Sequence, residues 1–150
     1  MSALRRKVLF VCIHNSARSQ MAEAFLNKHG KGQYEAESAG IEPGKMNPNV
    51  VKVMQEVGID LSKKETRGVF DLLKQGKSYN AVITVCDAAS ADKCPVFPGK
   101  GKKLAWSFED PSAFKGSEKE VLENTRRIRD EIDKAVQDFI KESGKSNFRV

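Results

Sequence analysis

The run Val8-Leu9-Phe10-Val11 is apolar at every position and breaks off two residues later into His14 and Asn15. Successive strand residues point to opposite faces, so a strand apolar throughout must be covered on both sides. Residues 7–13 therefore read as a strand inside a sheet with layers above and below it. Residues 16–28 then read as a helix, with Ala17, Met21, Ala24 and Phe25 on its inner stripe and Gly30 as its stop.

The same alternation continues. Residues 34–39 form a second strand, before a loop holding Pro43, Gly44 and Pro48. Residues 49–57 place Val50, Val53, Met54 and Val57 at helical spacing, with Gly58 closing the turn. A weaker short helix covers residues 69–74, and strands cover residues 80–86 and 103–108. Between residues 118 and 142, Val121, Leu122, Thr125, Ile128, Ile132, Ala135, Val136, Phe139 and Ile140 form one helical stripe with charges opposite. Residues 143–150 are expected to fray. Strands alternating with helices give βαβ units, hence an α/β fold with a mainly parallel sheet covered on both faces. One domain over residues 1–150 is expected, with its core at about residues 7–142. Ligands of such sheets sit beyond the carboxyl ends of the strands, where Cys12 falls.

Composition removes several function classes. The 150 residues are 39% hydrophobic and 31% charged, without repeats, and no apolar run is long enough to span a membrane. The basic start Met1–Lys7 is followed by too short an apolar run, and no small-residue cleavage site, for a signal peptide. The expected location is cytoplasmic. A net charge of +6 raises the question of nucleic acid, yet the basic patches at residues 4–7 and 99–103 interleave no aromatics for stacking. That charge is expected to draw in small anions instead. Three cysteines, an odd number, argue against a structural disulfide framework and for reactive or simply buried thiols.

Residues 12–19 read Cys-Ile-His-Asn-Ser-Ala-Arg-Ser, placing Cys12 and Arg18 at the two ends of a strand-to-helix turn. Backbone N–H groups of such a turn, with the positive end of the following helix, form an anion nest built from Ile13, His14, Asn15, Ser16, Ala17, Arg18 and Ser19. The planar fork of Arg18 can grip two oxyanion oxygens at once. Cys12 lies below the anion as nucleophile. An ordinary cysteine is only about 3% thiolate at neutral pH; the nest, the helix end and Arg18 all favour the charged form. Ser19 can hydrogen-bond the sulfur, Asn15 tolerates a left-handed backbone, and His14 is read as a solvent-facing loop residue. The chemistry is attack of Cys12 on a tetrahedral oxyanion such as phosphate or arsenate.

Leaving-group departure needs a proton donor. Asp110, made extended by Pro111, is the expected acid, with Trp106 and Phe108 placed to shield it and Glu109 as the second choice. Cys86 ends a strand and should share an edge with Cys12; Cys94 follows in a loop beside Pro95. Two thiols near an activated one suggest a disulfide relay, favoured over the alternative that Cys86 is a small core residue and Cys94 incidental.

Assembled in this way, the chain resembles the low-molecular-weight tyrosine phosphatase superfamily, and within it the arsenate reductase branch. The likeness rests on residues 8–24 (Val-Leu-Phe-Val-Cys-Ile-His-Asn-Ser-Ala-Arg-Ser-Gln-Met-Ala-Glu-Ala), Glu37-Ser38-Ala39-Gly40, Thr84-Val85-Cys86-Asp87, Cys94-Pro95, Trp106-Ser107-Phe108 and Asp110-Pro111. It implies a four-stranded parallel sheet in three α/β/α layers. Ser112 stands where the phosphatases carry a tyrosine, which with Cys86 and Cys94 favours reduction. The implied reaction is arsenate to arsenite through Cys12, Cys86 and Cys94, with Arg18 and Asp110 assisting, residual phosphatase activity, and no cofactor or metal. Thioredoxin is the implied reductant, with glutaredoxin and glutathione as the alternative, because residues 87–93 are longer than expected of thioredoxin-coupled members. Ala17 replaces a cysteine of many relatives. Some members bind a monovalent cation through positions like Asn15, Glu23 and Ser38, but Arg67-Gly68 replaces the further acid that such binding would need. A tyrosine or aryl phosphatase is the competing enzyme. A phosphocarrier would have to shield phosphocysteine from water, so Arg18 and Asp110 argue against it.

Overall fold

A computed structural model of the chain describes residues 6–85 and 101–145. Strands β1 (Arg6–Cys12), β2 (Tyr34–Gly40), β3 (Ala81–Thr84) and β4 (Lys102–Ala105) pair in the order β2-β1-β3-β4, all parallel. The helices are α1 (Arg18–His29), α2 (Pro48–Gln55), α3 (Val69–Lys74) and α4 (Glu118–Lys145), with a short 3-10 turn at Pro111–Ala113. This is the expected α/β class and parallel sheet.

The consecutive apolar residues of β1 explain its central place. Val8, Leu9, Phe10 and Val11 are all 0% exposed. Val8 and Phe10 join Met21, Phe25, Val50, Met54, Ile128 and Ile132 in one core cluster, so α1, α2 and α4 cover that face. Leu9 and Val11 point the other way, to Val69, Leu72 and Tyr79, under α3. The chain leaves β1 for β2 on one side and reaches β3 on the other, which makes the carboxyl end of β1 the topological switch point. There Cys12 lies beside Gly40, Val11 beside Thr84, and the Val85 N–H donates to the Val11 carbonyl at 2.9 Å.

Three features differ from the sequence reading. Helix α1 buries more than one stripe, including Ala22, Leu26, Gln20 and Glu23, because it lies between the sheet and α4. Strand β4 stops at Ala105: Lys102 and Lys103 keep this edge exposed, and Trp106 turns to pack 5.8 Å from the Phe10 ring and 5.9 Å from Phe139. Helix α4 runs to Lys145, into the stretch expected to fray. Cys86, residues 87–93 and Cys94 lie outside the described residues. Among those described, no helix is long and apolar enough to cross a membrane.

On the α3 face, Glu37 of β2 accepts the Tyr79 hydroxyl at 2.6 Å and the Lys77 ammonium at 3.1 Å, with Arg67 3.7 Å away. Burial opposes the charge, but the Tyr79 and Lys77 contacts outweigh it and hold the carboxyl below its usual range. Burial and this carboxylate push Tyr79 far above its usual range, so it remains a donor. A carboxyl lowered by folding contributes stability that is present above its unfolded value and lost as pH falls through its folded one. Tyr79→Phe should cost about 1–2 kcal/mol at pH 7 in urea unfolding, with the gap narrowing below about pH 4. A gap unchanged at pH 3 would mean that the hydroxyl does not stabilise the charged carboxylate.

Candidate active site

Cys12 is the last residue of β1 and is 3% exposed. Residues 13–17 turn the chain into α1. The carbonyls of Cys12, Ile13, His14 and Ser16 accept the N–H groups of Ile41 (3.1 Å), Glu42 (2.7 Å), Gly44 (2.9 Å) and Asn47 (3.0 Å). Tying the carbonyls outward leaves the loop amides to the concave side, where the Asn15 N–H donates to Cys12 Sγ at 3.2 Å. Asn15 has φ 56°, the left-handed conformation expected for it. Gly40 lets β2 approach from behind: a Cβ there would lie 2.8 Å from the Asn15 nitrogen, the His14 carbonyl carbon and the Ile13 oxygen.

A chain of side-chain hydrogen bonds ends on the sulfur. Arg67 N–H and Gln20 Nε2 donate to Asn15 Oδ1 at 2.9 and 3.0 Å, Asn15 Nδ2 donates to Ser19 Oγ at 2.8 Å, and Ser19 Oγ lies 2.8 Å from Cys12 Sγ. A backbone N–H can only donate, so Arg67 sets which end of the Asn15 amide is oxygen. Ser19, having accepted from Asn15, has its own proton to give to a sulfur without one. Two donors on one sulfur suit a thiolate. Ser19 was legible in the sequence; Gln20 was not, although a glutamine on the buried side of α1 was a signal. Gln20 also donates to the Glu65 carbonyl at 3.1 Å, which draws the 65–67 segment against the loop.

Helix α1 has no side-chain cap and no acid in its first turn, so its positive end is left to an anion. Arg18, 3% exposed, donates from one terminal nitrogen to the Phe108 carbonyl at 3.1 Å and sets the other 3.6 Å from Asp110 Oδ2. Asp110 is extended (φ −82°, ψ 113°), as Pro111 requires, and its Oδ1 accepts the Ser112 N–H at 2.9 Å. Its side chain is 33% exposed. Trp106, one of the two aromatics expected to shield it, is engaged with Phe10 and Phe139 instead. Glu109 faces Arg127 at 3.3 Å, so of the two neighbouring carboxyls it is Asp110 that lies beside Arg18. His14 is exposed, as expected, and bonds the Glu42 carbonyl through Nδ1 at 2.8 Å.

Behind the loop, Ser38 Oγ donates to Glu23 at 2.9 Å, and the Lys64 ammonium lies 2.5 Å from the other oxygen of Glu23. A lysine therefore supplies positive charge beside Glu23. Among the described residues no cluster of three His, Cys, Asp or Glu side chains could hold a metal ion. A thiol on the floor, amides and a helix end around it, a guanidinium above and a carboxyl at the rim can together hold a tetrahedral oxyanion for attack by sulfur.

Two measurements test this geometry. Ser19→Ala should slow alkylation of Cys12 by iodoacetamide at pH 7 about tenfold, read on the Cys12 peptide by mass spectrometry, because a hydrogen bond to a charged group is worth about 1.5–3 kcal/mol. An unchanged rate would mean that the hydroxyl does not stabilise the thiolate. Gly40→Ala should cost about 2–3 kcal/mol in chemical denaturation, since backbone atoms block the added methyl; full stability would show that β2 does not brace the loop.

Comparison with known proteins places these residues in context. Residues 7–147 match the family described as low molecular weight phosphotyrosine protein phosphatase. A protein of Bacillus licheniformis named arsenate reductase is 41% identical over 137 residues, 90% of this chain and 95% of that one. A solved arsenate reductase in its oxidized state superposes with a TM-score of 0.76 at 30% identity, covering 91% of this chain and 98% of that one. A thioredoxin-dependent arsenate reductase of Corynebacterium glutamicum superposes with a TM-score of 0.61 at 29% identity, over 91% of this chain and 64% of that one.

Proposed function

The chain belongs to the low molecular weight phosphotyrosine protein phosphatase family, and from that premise we propose that it is an arsenate reductase. The observation that carries the reading is the Cys12 sulfur, held by Ser19 and Asn15 at 2.8 and 3.2 Å under a helix end whose first residue is Arg18. Its reductase relatives carry the choice of arsenate over phosphate.

In this mechanism the Cys12 thiolate attacks the arsenic of arsenate, whose oxygens rest on the amides of residues 13–19 and on Arg18. Asp110 gives its proton to the departing hydroxide, which leaves as water, and a Cys12–arsenic bond results. Cys86 then attacks Cys12 as thiolate. The sulfur–arsenic bond breaks, its electron pair stays on arsenic, and arsenite leaves behind a Cys12–Cys86 disulfide. Cys94 attacks Cys86, which frees Cys12 and forms Cys86–Cys94. Arsenic has gained two electrons and two thiols have lost them. A dithiol of thioredoxin, or glutathione with glutaredoxin, reduces the final disulfide. Such a relay needs a reducing compartment, which fits the cytoplasm.

The same cradle and acid suit hydrolysis of small phosphomonoesters through a phosphocysteine, so a residual phosphatase activity belongs to the proposal. The deciding experiment is one arsenate turnover without reductant, followed by thiol counting and peptide mapping. The expected product is one Cys86–Cys94 bond with Cys12 free; three free thiols with phosphate ester hydrolysis intact would make the protein a phosphatase. Cys86→Ser should lose multiple turnovers of arsenate while keeping hydrolysis of a small aryl phosphate, and full arsenate turnover in that variant would sink the relay.

A further inference from the structure

The 2.9 Å bond from the Ser112 N–H fixes one carboxylate oxygen of Asp110, but it lies within the acid's own loop. The carboxylate is a third exposed and 3.6 Å from Arg18, beyond ordinary hydrogen-bond distance. Its neighbours are tied on the outer side, where Arg127 takes Glu109 at 3.3 Å and lies over the Phe114 ring at 5.9 Å. Neither contact sets how far the acid stands from the nucleophile loop.

Asn47 and Ser112 supply that link. Asn47 makes four separate bonds: its N–H donates to the Ser16 carbonyl at 3.0 Å, its carbonyl accepts the Val51 N–H at 3.1 Å, its Oδ1 accepts the Asn49 N–H at 2.9 Å, and its Nδ2 donates to Ser112 Oγ at 3.1 Å. The backbone and cap bonds leave the side chain little freedom, so the amide nitrogen is presented in a fixed direction. Ser112 receives that nitrogen on its hydroxyl while its own N–H binds Asp110 Oδ1 at 2.9 Å. Ser16, Asn47, Ser112, Asp110 and Arg18 thus close a ring of contacts around the mouth above Cys12. We propose that Asn47 and Ser112 are positioning residues that hold the Asp110 carboxyl at working distance from the oxyanion. This rests on the reading of Asp110 as the proton donor.

Ser112→Ala is the discriminating variant: it keeps the backbone N–H to Asp110 and loses only the oxygen that Asn47 grips. Asn47→Ala would also uncap α2 and mix stability with position. A misplaced acid matters in proportion to how much proton the leaving group needs. The full-length wild type, Ser112→Ala, Ser112→Thr and Asp110→Asn are compared on phenyl phosphate, a poor leaving group, and on 2,4-dinitrophenyl phosphate, which departs unprotonated. Ser112→Ala should lose about three- to tenfold in kcat/KM, which covers leaving-group departure and not hydrolysis of the shared phosphocysteine, on phenyl phosphate, the worth of one hydrogen bond, and less than about twofold on the dinitrophenyl ester. Ser112→Thr should restore the rate. Equal losses on both esters, or no loss on either, would overturn the positioning role while leaving the acid intact. Asp110→Asn that fails to separate the two esters would sink the acid assignment itself, and the proposal with it. If wild type hydrolyses neither ester, the variants are compared in single-turnover arsenate reduction, where an unslowed Ser112→Ala overturns the proposal.

Discussion

The site depends on one set of backbone bonds: the amides of Ile41, Glu42, Gly44 and Asn47 holding the carbonyls of Cys12, Ile13, His14 and Ser16. A turn of this kind concentrates peptide dipoles, and nothing inside it decides whether oxygens or N–H groups face the centre. The strap decides it, by giving the oxygens partners on the outside. An anion, the Cys12 sulfur and the end of α1 can then share one concavity. The strap can lie so close because β2 ends in Gly40, whose missing Cβ leaves room for the loop backbone.

From that concavity outward, the structure reads as successive supports. Asn15, set by the Arg67 backbone and by Gln20, orients Ser19, whose hydroxyl lies 2.8 Å from the sulfur. These groups are buried, so their hydrogen bonds are strong and their loss leaves orphaned donors and acceptors. Beneath them lies the doubly covered sheet, with β1 at its centre and no exposed residue between Val8 and Val11. The acid loop differs in kind. It lies at the surface, crosses from Trp106 in the core to Arg127 on α4, and meets the nucleophile side through Arg18 and the Asn47–Ser112 bond. The Cys12 sulfur is thus buried among fixed donors, while the Asp110 carboxyl stands at the surface in reach of water.

Much of this was legible in the chain itself because the signals are local. Consecutive apolar residues at 8–11 require a buried strand, the period of residues 118–142 requires an amphipathic helix, and a cysteine and arginine spanning a strand-to-helix turn define an oxyanion nest. Gln20, Gly40, Asn47 and Lys64 were not assigned their contacts, since each bond depends on a partner far along the chain: Ser112 is 65 residues from Asn47, and Arg67 is 52 from Asn15. Trp106, expected to shield Asp110, went elsewhere for a related reason: it lies near Asp110 in sequence, but its ring packs against Phe10 and Phe139, far away along the chain.

The sequence alone determined the alternating strand–helix order, the buried β1 and the strand–cysteine–nest–arginine–helix unit, because each follows from spacing within about one turn or one strand. Tertiary structure decided which acid faces Arg18, which way the Asn15 amide points and what braces the loop from behind. Those outcomes depend on hydrogen bonds between segments whose separation only the parallel order β2-β1-β3-β4 closes.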